Sequence, residues 1–378
     1  MERSLIVLLD GWTLAYQSNT PGAVHLWTLL ENLPACCQTI LATPAPLSGE
    51  LPDGIEAWIV NTPPTPGGRL IWEQRTLPVL ANRVGAGLIH LTSGAPTLFG
   101  KIPNVLSPAG FDLPADYTGE RPERQPPARD GGLPARIRQA LLPAGIIRAG
   151  GVIWPADLPE PNLGLPTCRL QPIVPAAFAN INSHDLPGSD LPESYILYHG
   201  PGGEADLRRL LDAWSWADPA IGKYYPLLAI GLDSNDRVRL GELAETYHAS
   251  STVQALPEIS IAELATIYNR CSALFQTGSL SPWGDPFCMA MACAKPIVAL
   301  HTPLADARLG PAAYLIQPGD SLKATSRALG AALVTVIVDE SVGESLAATA
   351  KKRSAAWLAA ETSFQASLSE YYCKLTGK

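Results

Sequence analysis

The sequence has 378 residues and a formal net charge of −8, from 27 lysines and arginines against 35 aspartates and glutamates. This acidic balance argues against a general nucleic-acid-binding protein, because phosphate backbones need a clustered basic face. Hydrophobic residues make up 47% and charged residues 16% of the chain, a composition that excludes global disorder. At roughly 150 residues per domain, the length predicts two domains with large cores.

Short apolar runs alternate with helical patterns through the first half of the chain. Strands are predicted at 4–9, 39–43, 55–60, 87–91 and 104–106, and helical spacing at 25–33 and 69–80. Strands separated by helices of this length indicate parallel β-α-β units in a doubly wound sheet. Residues 114–135 are rich in Pro, Arg, Glu and Gly without periodicity, and they are predicted to form a surface loop.

The second half repeats this alternation more regularly. Strands are predicted at 195–199, 227–231, 253–256, 273–276, 296–300 and 313–316, and helices at 204–216, 237–248, 261–271, 287–293, 321–333 and 341–358. The proline-rich segment 159–194 is predicted to contain the linker. The expected domains are therefore 1–185 and 186–360, both Rossmann-like, with 361–378 as a C-terminal helix that packs back towards the first domain. Two such α/β domains face each other across a cleft and bind ligands at the carboxyl ends of their strands.

Neither a membrane span nor a metal site is expected. No run reaches the roughly 18 apolar residues of a spanning helix, and the N-terminal run ends at Asp10. The seven cysteines are scattered without paired Cys-x2-Cys spacing, and no His-Glu-x-x-His occurs. We expect a cytoplasmic protein without a resident cofactor. The basic run at 351–353 is predicted to be a solvated helix surface, with contact to anionic lipid at the inner membrane face as the alternative.

Several segments in the second half carry a family resemblance. Residues 195–200 read Tyr-Ile-Leu-Tyr-His-Gly, and residues 290–299 read Ala-Met-Ala-Cys-Ala-Lys-Pro-Ile-Val-Ala. With Gly-Asp-Ser-Leu at 319–322, they resemble the donor-binding domain of family-4 retaining glycosyltransferases, which have the GT-B fold of two Rossmann-like domains. The first half is a looser match, around 72–78 and 86–90. The resemblance implies transfer of a sugar from a nucleotide-sugar donor to a glycan or lipid-linked acceptor, without a metal.

The family's Glu-x7-Glu element is replaced in this chain. Counting back from 290–299 places the second glutamate on Met289 and the first on Ser281. The intervening loop keeps Gly284, and Trp283 stands at an aromatic position of the family. Asp285 is the nearest acid, displaced by four residues. The resemblance implies that Ser281 and Asp285 contact the transferred sugar and that Trp283, Gly284 and Met289 border the donor.

The family's phosphate-binding cations are missing too. An arginine and a lysine normally follow the first strand of the donor domain and stabilise the leaving diphosphate. Here the turn contains Gly200, Gly202 and Gly203, followed by the acids Glu204 and Asp206. The three glycines are expected to offer backbone amides to the donor. Near the N-terminus the family's glycine-rich turn survives as the segment 20–23, in which Gly22 is a further predicted donor contact.

The acceptor side has lost the family's histidine. The family's His-Asp pair after the strand near residue 105 aligns with Ala109 and Gly110, and Asp112 lies just beyond as a catalytic candidate. His90 ends a predicted strand, where an acceptor contact and a simple strand-end packing role are both open. The framework of the family therefore persists while three sites have changed.

Three functions remain open. The chain is a glycosyltransferase that uses a nucleotide sugar, or a catalytically inactive homologue that serves as a binding or scaffold subunit for an active transferase. The third alternative is a GT-B enzyme of other chemistry, such as a phosphorylase or an epimerase. The changed residues are typical of a divergent or degenerate family member.

Overall fold

The structure is a computed structural model, which describes residues 5–47, 49–93, 95–98, 100–110, 132–178, 191–278, 280–358 and 361–377. Asp112 lies outside the described residues, as do most of the predicted 114–135 loop and the domain boundaries placed at 185 and 360. Those boundaries stay predictions.

The first half of the chain builds a sheet of seven parallel strands in the order β3-β2-β1-β4-β5-β6-β7. The bounds are β1 Leu5–Asp10, β2 Cys37–Thr43, β3 Glu56–Ile59, β4 Leu88–Leu91, β5 Asn104–Leu106, β6 Gly151–Pro155 and β7 Thr167–Leu170. In the centre, Leu8 lies opposite both Ile40 and Ile89. The continuous apolar run of β1 follows from this position, because helices cover both faces of a central parallel strand.

The helices of the first half connect these strands. They are α1 Trp12–Tyr16, α2 Pro21–Glu31, α3 Pro66–Ile71, α4 Leu77–Val84 and α5 Gly132–Arg148. A single π-helical segment, Trp72–Thr76, joins α3 to α4, so the predicted helix at 69–80 is one continuous helical stretch with an irregular middle. A short 3₁₀ turn follows at Ala176–Phe178.

The second half builds a sheet of six parallel strands in the order β10-β9-β8-β11-β12-β13. The bounds are β8 Ile196–His199, β9 Leu227–Ile230, β10 Val253–Ala255, β11 Ala273–Gln276, β12 Ile297–Leu300 and β13 Tyr314–Ile316. In both sheets the chain starts in the middle and reverses direction, between β1 and β4 and between β8 and β11. Crevices for ligands form at such switch points, beyond the carboxyl ends of the strands.

The helices of the second half begin with strong local signals. They are α6 Glu204–Ile221, α7 Ser234–Thr246, α8 Ile261–Arg270, α9 Pro286–Ala292, α10 Pro303–Leu309, α11 Leu322–Val338, α12 Glu340–Leu358 and α13 Glu361–Thr376. Ser260 and Glu263 form a capping box at the start of α8. Asp233, Thr302 and Ser321 each accept a backbone N–H at the starts of α7, α10 and α11. These caps satisfy amides that the first helical turn leaves free.

The C-terminal helix α13 lies against the first sheet. It contacts β7, and its buried side chains Phe364, Leu368 and Tyr372 share an apolar cluster with Val7 and Val105 of that sheet. Tyr371 donates a hydrogen bond to the carbonyl of Val152 at 3.3 Å. The last helix of the sequence is therefore part of the core beside the first sheet.

Several elements differ from the sequence prediction. The prediction of a loop through residue 135 is wrong for its last four residues, because α5 begins at Gly132. Pro143 lies inside α5 and masked its helical pattern. The strands β6 and β7 and the short helix α10 were also missed. The strand β7 is a partly exposed edge strand of four residues within the proline-rich segment, so it has no clear apolar run.

Candidate functional site

The loop between β11 and α9 brings together four of the predicted site residues: Ser281, Trp283, Gly284 and Asp285. Asp285 is the N-cap of α9, where its carboxylate accepts the amide of Phe287 at 3.1 Å. Pro286 follows at the first helical position, where its fixed φ suits the helix. Asp285 is buried, so its carboxylate fills the place at the helix end that the resemblance assigns to the donor.

Asp285 also belongs to a buried ion network. The guanidinium of Arg308 in α10 donates to Asp285 Oδ2 at 2.9 Å and to the two carboxylate oxygens of Asp157 at 2.8 and 3.1 Å. It further donates to the Ser281 carbonyl at 3.2 Å. Burial raises the pKa of Asp285 to about 6, against the opposing effect of Arg308. Because Asp157 follows β6, this network joins the two halves of the chain.

The hydroxyl of Ser281 is fully used inside the protein. It donates to the Trp283 carbonyl at 2.7 Å and accepts the amide of Gly110 at 2.9 Å. Trp283 reaches the first sheet, where its indole N–H donates to the Ile153 carbonyl at 3.0 Å and its ring stacks on His25 at 4.8 Å between ring centroids. Both residues hold the second half against the first.

Gly284 lies at a close contact between the two halves. Its φ is +63°, and a Cβ atom there would overlap the carbonyl oxygen of Pro21 and lie 3.0 Å from the amide nitrogen of His25. Gly22 is in the first turn of α2, where an added Cβ would meet Thr13 Cγ2 at 3.0 Å. Gly284 therefore allows the close contact between α2 and the α9 loop, whereas Gly22 allows α2 to pack closely on α1.

Replacing Gly284 with alanine is expected to lower the free energy of unfolding by about 2 kcal/mol or more. The left-handed backbone alone costs an alanine roughly 1–2 kcal/mol, and the clash with Pro21 adds to it. Urea denaturation followed by circular dichroism measures the loss. Gly164→Ala is the matched control, because Gly164 has a φ of +64° with no atom within 4 Å of the added Cβ. Equal losses in both variants would contradict the close contact at Gly284.

The glycine turn before α6 is occupied by a carboxylate from α7. The amide of Gly203 donates to Asp236 Oδ1 at 3.0 Å, and a Cβ on Gly202 would overlap the same carboxylate. Burial raises the pKa of Asp236, and the bond from Gly203 opposes that shift. Gly200 donates its amide to the Ile230 carbonyl at 2.9 Å. Two of the three amides predicted to face a diphosphate, those of Gly200 and Gly203, thus have partners within the protein.

Three buried histidines, His25, His90 and His199, form hydrogen bonds to residues of other elements of the fold. His90 Nδ1 lies 2.6 Å from the Tyr372 hydroxyl, and His90 Nε2 lies 2.7 Å from the Ser107 hydroxyl, which in turn lies 2.8 Å from His25 Nε2. Burial lowers the pKa of His90 to about 3 and holds that of His25 well below its usual value. Because both nitrogens of His90 are bonded internally, the geometry favours a packing role over the predicted acceptor contact.

His199, at the end of β8, makes the third of these links. Its Nε2 donates to the carbonyl of Asn19 at 2.6 Å, and its Nδ1 accepts from the Tyr268 hydroxyl at 2.7 Å. The side chain of Asn19 bonds both the N–H and the carbonyl of Ile259, at 3.0 and 2.7 Å. Burial lowers the pKa of His199 to about 4. This contact again closes the first half onto the second.

Met289 is buried in α9 and belongs to an apolar cluster that includes residues of both halves of the chain. Its thioether offers a ribose only a weak acceptor. Among the described residues no group of three or more His, Cys, Asp or Glu side chains is arranged to hold a metal ion. The described part of the chain also contains no helix long and apolar enough to cross a membrane.

The sequence analysis missed Arg308, Asp157, Asp236 and Asn19. Arg308 had one usable signal, because Thr302 followed by Pro303 is a typical start of a short helix. Asp236 lies in the first turn of a capped helix, which explains its presence but not its reach to Gly203. Nothing in the sequence near Asp157 or Asn19 indicates a contact across the halves.

No protein-family model and no curated protein sequence matches this chain. Solved structures do. Sucrose-phosphate synthase from Thermosynechococcus elongatus is 16% identical with a TM-score of 0.68, over 99% of each chain. WaaG, a glycosyltransferase involved in lipopolysaccharide biosynthesis, is 13% identical with a TM-score of 0.71, over 98% of this chain and 100% of its own. HepE from Anabaena, solved with UDP-glucose, is 13% identical with a TM-score of 0.60, over 97% of this chain and 100% of its own.

The chain has the GT-B fold. Two parallel sheets of seven and six strands with their helices match these structures along their whole length, which confirms the fold predicted from the sequence. Its architecture is therefore similar to that of glycosyltransferases, at sequence identities of 13–16% to the structures named.

Proposed function

We propose that this chain is a catalytically inactive glycosyltransferase-like protein that acts as a binding or scaffold subunit for an active glycosyltransferase. One observation carries the proposal: the positions assigned to the sugar donor are filled by contacts within the chain. Ser281 bonds Gly110, Asp285 bonds Arg308, and Asp236 bonds Gly203. Ser281, Asp285 and Arg308 are fully buried.

Electrostatics argue in the same direction. A donor diphosphate is normally held by helix amides and neutralised by cations. Here the start of α6 carries Glu204 and Asp206 in its first turn and receives the carboxylate of Asp236 from α7. Each of these acids has an arginine partner: Arg208 lies 2.8 Å from Glu204, Arg209 lies 3.7 Å from Asp206, and Arg239 lies 3.1 Å from Asp236. A diphosphate at this turn would therefore have to compete with three carboxylates for the nearby cations.

The rival function is a working transferase. HepE was solved with UDP-glucose, and a similar fold in this chain makes a nucleotide sugar the first ligand to test. Under this rival, the two halves would separate by breaking the Ser281–Gly110 and Trp283–Ile153 bonds, and the freed amides would bind the donor. An acceptor glycan or lipid-linked sugar would then enter from the side of the first sheet.

Titration calorimetry with UDP, UDP-glucose, GDP-mannose and ADP-glucose decides between the two. We expect no binding at nucleotide concentrations up to about 1 mM. The free energy of binding would then be weaker than about −4 kcal/mol. Thermal unfolding of the same sample verifies that it is folded. Micromolar binding of any of these nucleotides, together with release of UDP, GDP or ADP in the presence of acceptor, would overturn the proposal.

A charge-neutral variant sharpens this test. Asp236→Asn keeps the shape of the side chain and removes the charge beside Gly203, so we expect UDP binding to rise at most into the millimolar range. Asp233→Asn is the matched control, because Asp233 caps the same helix but bonds the amide of Asp236. The scaffold role is tested by purifying the full chain from its native cells and searching for a glycosyltransferase among the proteins that co-purify with it. A stable complex is expected, and its absence would count against that role.

A further inference from the structure

A groove lies on the outside of the second sheet, between α6 and α11. The two helices pack closely because Gly330 of α11 has no side chain: a Cβ there would meet the Ala213 carbonyl oxygen at 2.5 Å and Trp216 Cβ at 2.6 Å. Beside this contact, residues of both helices line a cavity of about 450 Å³. This volume is within the range of small-molecule sites.

The lining of the groove is polar with one aromatic ring. Five side chains form it: Asp212, Ser215, Trp216, Lys323 and Ser326. They are spaced three and four residues apart on α6 and three residues apart on α11, so each helix turns one stripe of these side chains towards the groove. The lining thus combines a carboxylate, an ammonium group, two hydroxyls and an indole.

Two of these side chains are held in place. Trp216 is 43% exposed, and the guanidinium of Arg327 lies over its ring at 5.2 Å from the centroid. The hydroxyl of Tyr247 donates to Asp212 Oδ1 at 2.7 Å, which fixes the carboxylate. A large exposed indole fixed by a neighbouring cation costs less entropy on binding a ligand than a mobile one.

The groove is separate from the candidate donor site. The side chains of Ile196 and Tyr198 on β8 belong to the apolar cluster formed with α6 and α11, whereas Leu197 belongs to the other cluster, which contains Met289 of α9. Because alternate residues of a strand point to opposite faces of its sheet, the groove and α9 lie on opposite faces. Its use does not depend on whether the two halves of the chain separate.

We infer that this groove binds a neutral sugar residue of a glycan. A pyranose ring has an apolar face of C–H bonds, whose positive edges suit the negative face of an indole. Its rim carries hydroxyls that donate to a carboxylate such as Asp212 and accept from an ammonium such as Lys323. The lining carries one negative charge, on Asp212, and one positive charge, on Lys323, so it has no net charge that would select a phosphate or sulfate. The polar rim does not suit an apolar ligand. Such a site would hold a glycan on the protein without catalysis.

Ligand-observed NMR and calorimetry test this inference on the full chain. The probes are methyl α-glucoside, methyl α-mannoside, methyl β-galactoside, N-acetylglucosamine and the disaccharides of each. We expect at least one to bind with a Kd of about 0.1–10 mM. Trp216→Ala is expected to weaken that binding about tenfold, which corresponds to about 1.4 kcal/mol, and Trp216→Phe to restore part of it.

Matched variants separate the groove from the rest of the surface. Tyr224 is another exposed aromatic residue beside a cation, Lys223, so Tyr224→Ala should leave sugar binding unchanged. Tyr247→Phe removes the hydrogen bond to Asp212 and should weaken binding less than Asp212→Asn. No binding of any probe, or binding that survives Trp216→Ala unchanged in a folded variant, would overturn the inference.

Discussion

Arg308→Met is expected to lower the free energy of unfolding by about 3–5 kcal/mol. The guanidinium is fully buried and bonds the carboxylates of Asp285 and Asp157, as well as the carbonyl of Ser281. Methionine fills most of the same space but leaves two acids without their counter-ion. Because an unpaired buried charge is far costlier than the pair is favourable, the loss exceeds the value of the hydrogen bonds alone.

Urea denaturation at pH 7.5, followed by circular dichroism, measures this loss. Arg208→Met is the control, since the Arg208–Glu204 pair lies on the surface of α6 with both side chains more than half exposed. No measurable change is expected there. The triple variant Asp157→Asn, Asp285→Asn and Arg308→Met removes all the charges together and should recover much of the stability. A loss below about 1 kcal/mol for Arg308→Met alone would show that the network is not closed as described.

The fold could be predicted from the sequence because its strands are continuous apolar runs in a regular β-α-β order. The strand predicted at 4–9 is β1, and the strand predicted at 273–276 is β11 with the same bounds. Such runs follow directly from burial on both faces of a parallel sheet. The helix α5 was not predicted from the sequence, because Pro143 interrupts its helical pattern.

The candidate site was harder, because its partners come from distant parts of the chain. Asp285 is an N-cap that local sequence does indicate, but its ion pair comes from Arg308 and, through it, from Asp157 in the other half. In the same way, the glycine turn at 200–203 was recognised, but the carboxylate of Asp236, 33 residues later, was not. Contacts of this kind depend on how separate elements of the fold are placed relative to one another, which local residue patterns do not encode.

The stability of the protein is expected to fall steeply as the pH is lowered below about 6.5. His25, His90 and His199 are buried and neutral, and burial lowers the pKa of His90 to about 3 and of His199 to about 4, with that of His25 also well below its usual value. In the unfolded chain each titrates near about 6.5. Below that pH the unfolded chain binds protons that the folded chain does not, so each histidine removes about 1.4 kcal/mol per pH unit.

Two carboxylates act in the opposite direction. Burial raises the pKa of Asp285 to about 6 and also raises that of Asp236, so the folded chain binds these protons first as the pH falls. Each gains stability until the pH reaches its unfolded pKa near about 3.9. With three histidines against these two acids, the net loss between pH 6 and 4 is expected to be about 1–3 kcal/mol per pH unit.

Urea titrations at pH 7.5, 6.5, 5.5 and 4.5 give this slope directly, and single substitutions assign it. His199→Gln keeps a donor for the Asn19 carbonyl but removes one titrating group, so the slope should decrease by about 1.4 kcal/mol per pH unit even if the variant is less stable throughout. His248→Gln, at an exposed histidine, should leave the slope unchanged. A wild-type stability that is flat from pH 7 to 4.5 would mean that the histidines reach solvent and that the contact between Asn19 and His199 opens readily, as a working cleft would require.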